Sequence, residues 1–298
     1  MQEFFNISLI ITQHLNRGLG ERPGVTLSKV SKYKRSLSAE DNNHVLLCDL
    51  GGSLGIDQKS SAPRNPAITA MNYMNYEFGV FNHQDVSNIS KLRRALSFSD
   101  FPWMNCNVGH PRTKEPFFGE PYRVFIVNGM KLIILGSYGG RFIPEAEKKD
   151  PILHISRLNT SVKKWLRYIY DLEDPDYVIV CVSDWSEPLE DIVKDMEGVG
   201  MLITGSHTLE EDRFDADAGW SNSSNGVLSP SETYPVPESR QVPMHHHHHA
   251  NQAMHISMNF KTRTNTYEYM GHSVTKIDSE LAQLSEDNHL LDLVHYHL

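Results

Sequence analysis

The sequence predicts a layered α/β fold in which mixed β-sheets are flanked by α-helices. Three observations predict it: short apolar runs rich in Val, Ile and Leu recur along the chain, amphipathic segments lie between several of them, and one pair of runs is joined by an Asn-Gly turn. Strands covered on both faces read as continuous apolar runs. A strand, helix, strand order calls for helices packed on a sheet with parallel strands. Asn-Gly between two apolar runs signals a hairpin, which adds antiparallel pairs and makes the sheets mixed.

The elements follow in order. "ISLIIT" (7–12) is the first strand, and "TLSKVSKYKRSLSAE" places Leu27, Val30, Tyr33 and Leu37 at helical spacing. "HVLLCDL" (44–50) is the next strand, and "RVFIVNG" (123–129) with "KLIILGSY" (131–138) forms the hairpin over Asn128-Gly129. "SRLNTSVKKWLRYIYDL" repeats Leu158, Val162, Trp165, Leu166 and Ile169 as a helix, before the strands "DYVIVCVS" (176–183) and "GMLITGS" (200–206). From about residue 210 to 244 the chain turns acidic, then rich in Ser, Pro and Asn, which reads as a long loop-like insertion unable to bury much apolar surface. Residues 254–277 alternate like two strands joined at a Thr-Asn turn, and 278–298 open with an Asp/Ser cap and read as a terminal helix. The apolar end of that helix, "LLDLVHYHL", is expected to offer a surface to a partner.

At 298 residues and 39% hydrophobic, the chain suits a single large domain spanning 1–298. A net charge of −9 argues against a nucleic-acid or anionic-membrane surface, since either needs clustered positive charge. Cys48, Cys106 and Cys181 are too few and too widely spaced for a disulfide framework or zinc knuckle, so they read as buried thiols. No basic leader precedes "ISLII" and no run reaches the length of a membrane span, so the expected location is the cytoplasm or an organellar matrix.

In layered α/β folds ligands collect at the carboxyl ends of strands. The polar residues there are Gln13, His14 and Asn16 after the first strand, Asp49 with Gly51-Gly52 after the second, Asn82-His83, Asp184, and His207. His, Asn and Asp converging from five strand ends is the pattern of metal-assisted phosphoester hydrolysis, in which two cations about 3.5–4 Å apart polarise the phosphoryl group and generate the nucleophile. The run His245–His249 would bind nickel or zinc, but its surroundings read as a low-complexity loop or an engineered affinity insertion.

The order of these segments resembles the calcineurin-like metallophosphoesterases, and among them the amino-terminal catalytic domain of the 5'-nucleotidase group. "ISLIITQHLNRGL" is similar to the opening strand with its T-x-D-x-H signature, "VLLCDLGGSLG" to the D-x-G-D-x-x-x-G strand, and "ITAMNYMNYEFGVFNHQD" to the segment ending in G-N-H-E. "FPWMNCNVG", the "EPYRVFIVNGMKLIILGSYG" hairpin, "DYVIVCVSDWS", "GVGMLITGSHTL" and the closing "ISMNFKTRTNTYEYMGHSVTKID" continue the likeness over nearly the whole chain. The resemblance implies a metallophosphoesterase-type sandwich. It also implies that the second, carboxyl-terminal nucleotide-binding domain of that group is absent, because the chain ends at Leu298, just after the linker-like helix.

Position by position, the same resemblance implies an eroded metal site. His14 stands where the family has a metal-binding Asp, Asn16 where it has His, and Gly52 where it has the bridging Asp. Phe81 replaces the Gly before Asn-His; Asn82 keeps the ligand Asn and His83 keeps the His that protonates the leaving group or steadies the phosphate. Asp184 stands at one ligand His, His207 keeps the next, and Leu209 replaces the last. Without a carboxylate at position 52, two divalent cations at ~4 Å would repel by several kcal/mol even at an effective dielectric near 20.

The leading expectation is therefore a pseudoenzyme without a cofactor, acting through a protein partner or larger complex. The alternative is a remodelled phosphoester hydrolase in which His14, Asn16, Asn82, Asp184 and His207 hold one zinc or manganese ion and His83 assists. A third expectation is binding of a small phosphoester ligand without turnover, through Asn and His donors at the strand ends.

Overall fold

The structure is a computed structural model that describes residues 4–14, 26–54, 65–140, 152–184, 197–205, 232–234, 242–247, 252–264, 266–277, 281 and 283–297. The chain forms β1 (Phe4–Gln13), α1 (Leu27–Ser38), β2 (Asn43–Asp49), α2 (Pro66–Tyr73), β3 (Phe78–Val80), α3 (Ile89–Leu96), β4 (Trp103–Met104) and β5 (Val108–Gly109). It continues with β6 (Tyr122–Val127), β7 (Met130–Tyr138), β8 (His154–Ile155), α4 (Leu158–Leu172), β9 (Tyr177–Ser183) and β10 (Met201–Gly205). β11 (Glu232–Tyr234), β12 (Val242–His247), β13 (Gln252–Arg263), β14 (Thr266–Lys276) and α5 (Asn288–His297) complete the described elements.

Two mixed sheets of six strands carry the fold, in the orders β14-β13-β1-β2-β3-β4 and β11-β12-β10-β9-β7-β6. In the first, β1 to β4 run parallel and β13 and β14 are antiparallel additions. In the second, β12, β10, β9 and β7 run parallel, and β11 and β6 are antiparallel edges. Alternation along each strand divides its apolar side chains between two cores. Ile7, Leu9 and Ile11 of β1 meet Ile134, Ile179, Cys181 and Ile203 between the sheets. Ile10 and Leu47 face α1, α2, α3 and Leu290 of α5, whereas Ile133, Val180 and Leu202 face Leu158, Val162, Leu166 and Ile169 of α4. The result is helix, sheet, sheet, helix, and it explains why the strands read as unbroken apolar runs.

Local chemistry sets the element boundaries. The Thr26 hydroxyl accepts the Lys29 N–H at 3.3 Å to cap α1, and the Asn65 side chain accepts from Ala67 at 2.9 Å ahead of Pro66 at the start of α2. Asn128 and Gly129 adopt φ of 51° and 88°, the conformation a two-residue hairpin between β6 and β7 requires. All three cysteines are free and buried. No helix among the described residues is long and apolar enough to cross a membrane.

Two sequence expectations change. The stretch from 210 to 244 is not loop throughout: β11 lies inside it, and β12, which carries His245–His247, begins in it and pairs with β10. The exposed sheet edge of β10 supplies backbone partners that composition does not reveal. The terminal segment also differs, since it is not one helix: Leu281 and Gln283 are helical, 284–287 are not, α5 spans 288–297, and Leu290 is buried in this chain's own core beside α1 and α2. Asp287, just ahead of α5, accepts from Ser31 at 3.0 Å and pairs with Arg35 at 2.8 Å, fastening this end to α1.

The inter-sheet core predicts a stability contrast. Ile134→Ala, at a fully buried site, is expected to cost about 2–5 kcal/mol. Leu172→Ala, at a residue 64% exposed, should stay within about 0.5 kcal/mol of wild type in urea unfolding. Equal losses would contradict the layer assignment.

Candidate functional site

The carboxyl ends of β1, β2, β3 and β9 converge on one rim. His14 follows β1, Gly51-Gly52 follow β2, Asn82-His83 follow β3, and Asp184 follows β9. His14 and Asp184 turn off their strands with φ of 54° and 48°, left-handed conformations that cost a non-glycine residue about 1–2 kcal/mol. Both are fully buried.

Gly52 has φ of +76°, and its N–H donates to Asp85 Oδ2 at 2.8 Å. A β-carbon there would stand 2.2 Å from Nδ1 of His14 and 2.5 Å from the Asn82 side-chain nitrogen. The His14 imidazole thus fills the volume into which any side chain at position 52 would extend. Gly51 is equally constrained: φ is +94° and a β-carbon would meet the Asn82 backbone nitrogen at 2.6 Å.

Asn82 is oriented by its neighbours. Its side-chain oxygen accepts from the Gln84 N–H at 2.9 Å and the Asp85 N–H at 3.1 Å, a local turn that Asn favours. The amide nitrogen is therefore the group facing His14, 3.4 Å from Nδ1, which acts as acceptor. The oxygen that would ligate a metal is occupied by two backbone donors.

His83 and Asp184 join the two sheets. The backbone N–H and the Nδ1 of His83 both bond the Asp184 carboxylate, the latter at 3.0 Å, one to each oxygen. A carboxylate only accepts, so His83 Nδ1 carries the proton. Alongside, the Ser183 hydroxyl donates to the Phe81 carbonyl. The His83 side chain is 36% exposed, whereas that of Asp184 is wholly covered.

Two more carboxyls lie in the rim. Asp49 accepts from Thr12 at 2.7 Å, Ser53 at 2.6 Å and the Gly51 N–H at 2.8 Å. Burial pushes it up to about 6 despite those bonds. Asp85 takes the Gly52 and Asn82 N–H groups on Oδ2, the latter at 3.1 Å, while Oδ1 is buried without a hydrogen-bond partner. Burial raises it to about 8, with the charges of Asp49 and Asp184 adding to the shift against the two backbone bonds.

Of the site residues drawn from the sequence, the structure brings together His14, Asn82, His83 and Asp184. Asn16, His207 and Leu209 lie outside the described residues. Asp85 was missed; its signal was the Asn-x-x-Asp spacing, which returns the Asp to the backbone of the Asn turn. Among the described residues no group of three His, Cys, Asp or Glu side chains stands together as a metal-ligand set. A paired-metal centre does not fit what is described: His14 fills the space at position 52, both Asp184 oxygens are bonded to His83, and the Asn82 oxygen points at backbone.

The chain has the fold of the calcineurin-like phosphoesterases and 5'-nucleotidases. Over 99% of its length it superposes on the calcineurin-like phosphoesterase YfkN from Bacillus subtilis, covering 97% of that chain, with a TM-score of 0.70 and 14% identity. The 5'-nucleotidase precursor from Thermus thermophilus matches 98% of the chain with a TM-score of 0.71 and 16% identity, and the NAD nucleotidase of Haemophilus influenzae 99% with a TM-score of 0.71 and 12% identity. The matched region spans only 58% and 60% of those two structures. A curated 2',3'-cyclic-nucleotide 2'-phosphodiesterase/3'-nucleotidase from Haemophilus influenzae is 42% identical over 59 residues, 20% of this chain and 9% of that protein. No family model matches the chain.

Two predictions follow from the rim. Gly52→Ala should cost at least about 2 kcal/mol, and in combination with His14→Ala should show a favourable coupling of about 0.5–3 kcal/mol in a double-mutant cycle. Strict additivity would mean that the β-carbon and the ring do not compete. The second concerns pH. The native state keeps a proton on Asp85 that the unfolded chain loses near 3.8, so its contribution to stability is complete below that value and is lost as pH rises towards about 8. Asp85→Asn keeps the accepting oxygen and should remove a slope of up to about 1.4 kcal/mol per pH unit, measured between about pH 7 and 8, above the range in which Asp49 titrates. An unchanged slope would place the titration elsewhere.

Proposed function

We propose that this protein is a catalytically inactive member of the metallophosphoesterase-like folds, a pseudoenzyme with a structural or protein-binding role as a subunit of a larger assembly. The observation that carries the reading is the His14 ring in the space of the bridging carboxylate, 2.2 Å from where a β-carbon at Gly52 would stand. Phosphoester chemistry on this fold needs charge at that place to hold two cations together and make a nucleophile. A neutral, bulky acceptor there offers neither. The His83–Asp184 link supports the same reading, because it consumes a carboxylate that would otherwise be a ligand, and with it one nitrogen of the residue standing at the family's acid position.

What then remains is a folded scaffold with an intact core, and its value lies in its surface. The interior supplies the rigidity a docking subunit needs. A small phosphoester held without turnover, or a single zinc or manganese ion with His83 as acid, are the readings that replace this one if it fails.

The test is metal content by elemental mass spectrometry after equilibration with manganese and zinc, together with phosphodiesterase and nucleotidase turnover. It uses protein whose His245–His249 run is replaced by Ala, so that the run contributes no metal. Absence of tightly held metal and of turnover is the expected result. About two cations per chain with turnover would overturn the pseudoenzyme reading; about one would favour a single-metal hydrolase, and His83→Ala should then lower its rate ~10²-fold to 10⁴-fold. Strictly monomeric protein with no co-purifying partner in a native pull-down would count against the assembly role.

A further inference from the structure

An open β-sheet ends in strands whose outer backbone groups are unpaired, and natural proteins blunt such edges by shortness, charge or bulges. The edges of the two sheets are treated unequally. β4 has two residues and β11 three. β14 is longer, but its pairing with β13 is broken by a register shift at Asn259/Phe260, and Glu268 pairs with Arg263 on its surface. β6 has six residues and keeps an unbroken register with β7. Its one charge, Arg123, is turned towards the first sheet, where it donates to the Glu77 carbonyl at 2.8 Å and lies 5.5 Å over the Phe125 ring. β6 is thus a long edge left unguarded.

The ladder fixes which groups of β6 stay free. Just ahead of the strand, the Gly136 N–H donates to the Pro121 carbonyl at 3.1 Å. At the other end Lys131, opposite Ile126, is turned away: its N–H donates to the Asp176 side chain at 2.7 Å and its carbonyl accepts from the Asp176 N–H at 2.9 Å. Bonded and non-bonded pairs alternate along an antiparallel ladder, so Tyr122, Val124 and Ile126 point their N–H and C=O groups out of the sheet. Among the described residues no strand lies beyond β6 to take them. The side chains of Tyr122 and Val124 pack on the core under α4, and Ile126 follows on the same face, 65% exposed. Beside them the exposed Tyr168 of α4 stands 6.5 Å from the Tyr122 ring.

We propose that two copies of this chain join through β6, antiparallel about a two-fold axis at Val124, so that the second sheet runs on from one copy into the other. The proposal rests on the assembly reading above and deepens it by naming a second copy as the partner. The free groups are symmetric about Val124, so the interface is self-matched: Val124 lies opposite Val124, Tyr122 of each copy lies opposite Ile126 of the other, and every outward N–H and C=O finds a bond. The exposed Ile126 side chain then covers an aromatic ring, a favourable cross-strand pair. Charge agrees. α4 crosses from β7 to the parallel β9 and so runs in the direction of β6, which sets the α4 helices of the two copies antiparallel. Lys163, Lys164 and Arg167 come before Tyr168, whereas Asp171, Glu173 and Asp174 come after it. The basic half of each α4 therefore faces the acidic half of the other.

The experiment is sedimentation velocity on the full chain, with chelator present so that the histidine run bridges no molecules. Over about 1–100 μM the mass should rise to twice that of one chain, as expected for an interface of modest size. Ile126→Lys buries a charge in the pair and should weaken association about tenfold or more. Val124→Pro should do the same, since it removes an outward N–H and leaves the β7 ladder intact. Met270→Lys, at an exposed residue of β14, should stay within about twofold of wild type. Circular dichroism checks folding of each variant. Register is tested with diamide: Val124→Cys should link to itself, because α-carbons of a hydrogen-bonded pair lie about 5.5 Å apart. Ile126→Cys should not, since its two copies lie roughly 13 Å apart along the strands. Monomer throughout the range, equal weakening by Ile126→Lys and Met270→Lys, or equal linking of the two cysteines would overturn the proposal. A monomer that still captures another protein in the native pull-down would overturn the dimer and leave the assembly reading standing.

Discussion

Polar groups taken out of water have to be satisfied by one another, and at this rim His14, Asp49, Asn82, Asp85 and Asp184 are all at 0% exposure. The solution is a connected network that leaves Asp85 Oδ1 without a hydrogen-bond partner. The Asn82 oxygen takes two backbone N–H groups of its own turn, its nitrogen turns to His14, and Asp85 takes the N–H groups of Asn82 and Gly52. The loops after β1, β2 and β3 are thereby fixed relative to one another. A change at any member leaves a buried donor or acceptor unpaired, which costs about 1–3 kcal/mol and spreads to the loop that carried it.

The link between the sheets answers a different need. Apolar packing between Ile11, Ile134, Cys181 and their neighbours holds the sheets together without direction, since burial is rewarded wherever it occurs. Direction comes from the polar contacts at the rim, His83 with Asp184 and Ser183 with the Phe81 carbonyl. They set how the strand ends meet. A ligand seeking Asp184 would therefore have to break a contact that orders the sandwich, which ties the chemistry of the rim to the geometry of the fold.

β1, β2, β7, β9 and β10 were legible because they are largely covered on both faces and so read as apolar runs, as "DYVIVCVS" illustrates, whereas β13 and β14 were legible by their alternation. The β6–β7 hairpin was legible because Asn-Gly is among the few pairs that favour its two left-handed positions. β12 was not, since a strand of "VPMHHH" draws its stability from the β10 edge beside it and not from its own composition. Within the rim, the sequence identified His14, Asn82, His83 and Asp184 as neighbours through the family resemblance. It did not show that Asp184 would bond His83, nor that Asp85 would hold the glycine turn, because those contacts depend on side-chain directions that only the assembled strand ends define.

Gly52 and His14 are coupled by packing. A chain carrying both the imidazole and any β-carbon at position 52 would force atoms to 2.2 Å, far inside contact distance. A chain carrying neither would leave an unfilled, polar-walled void in a fully buried rim, where cavities are costly and each lining atom loses its partner. Any side chain at position 52 and the His14 ring in its present position therefore exclude each other. A single substitution at Gly52 cannot place a carboxylate there without displacing the ring, because the φ of +76° and the ring both oppose it. The packing that stabilises this rim is therefore the same feature that leaves no room for a side chain at position 52.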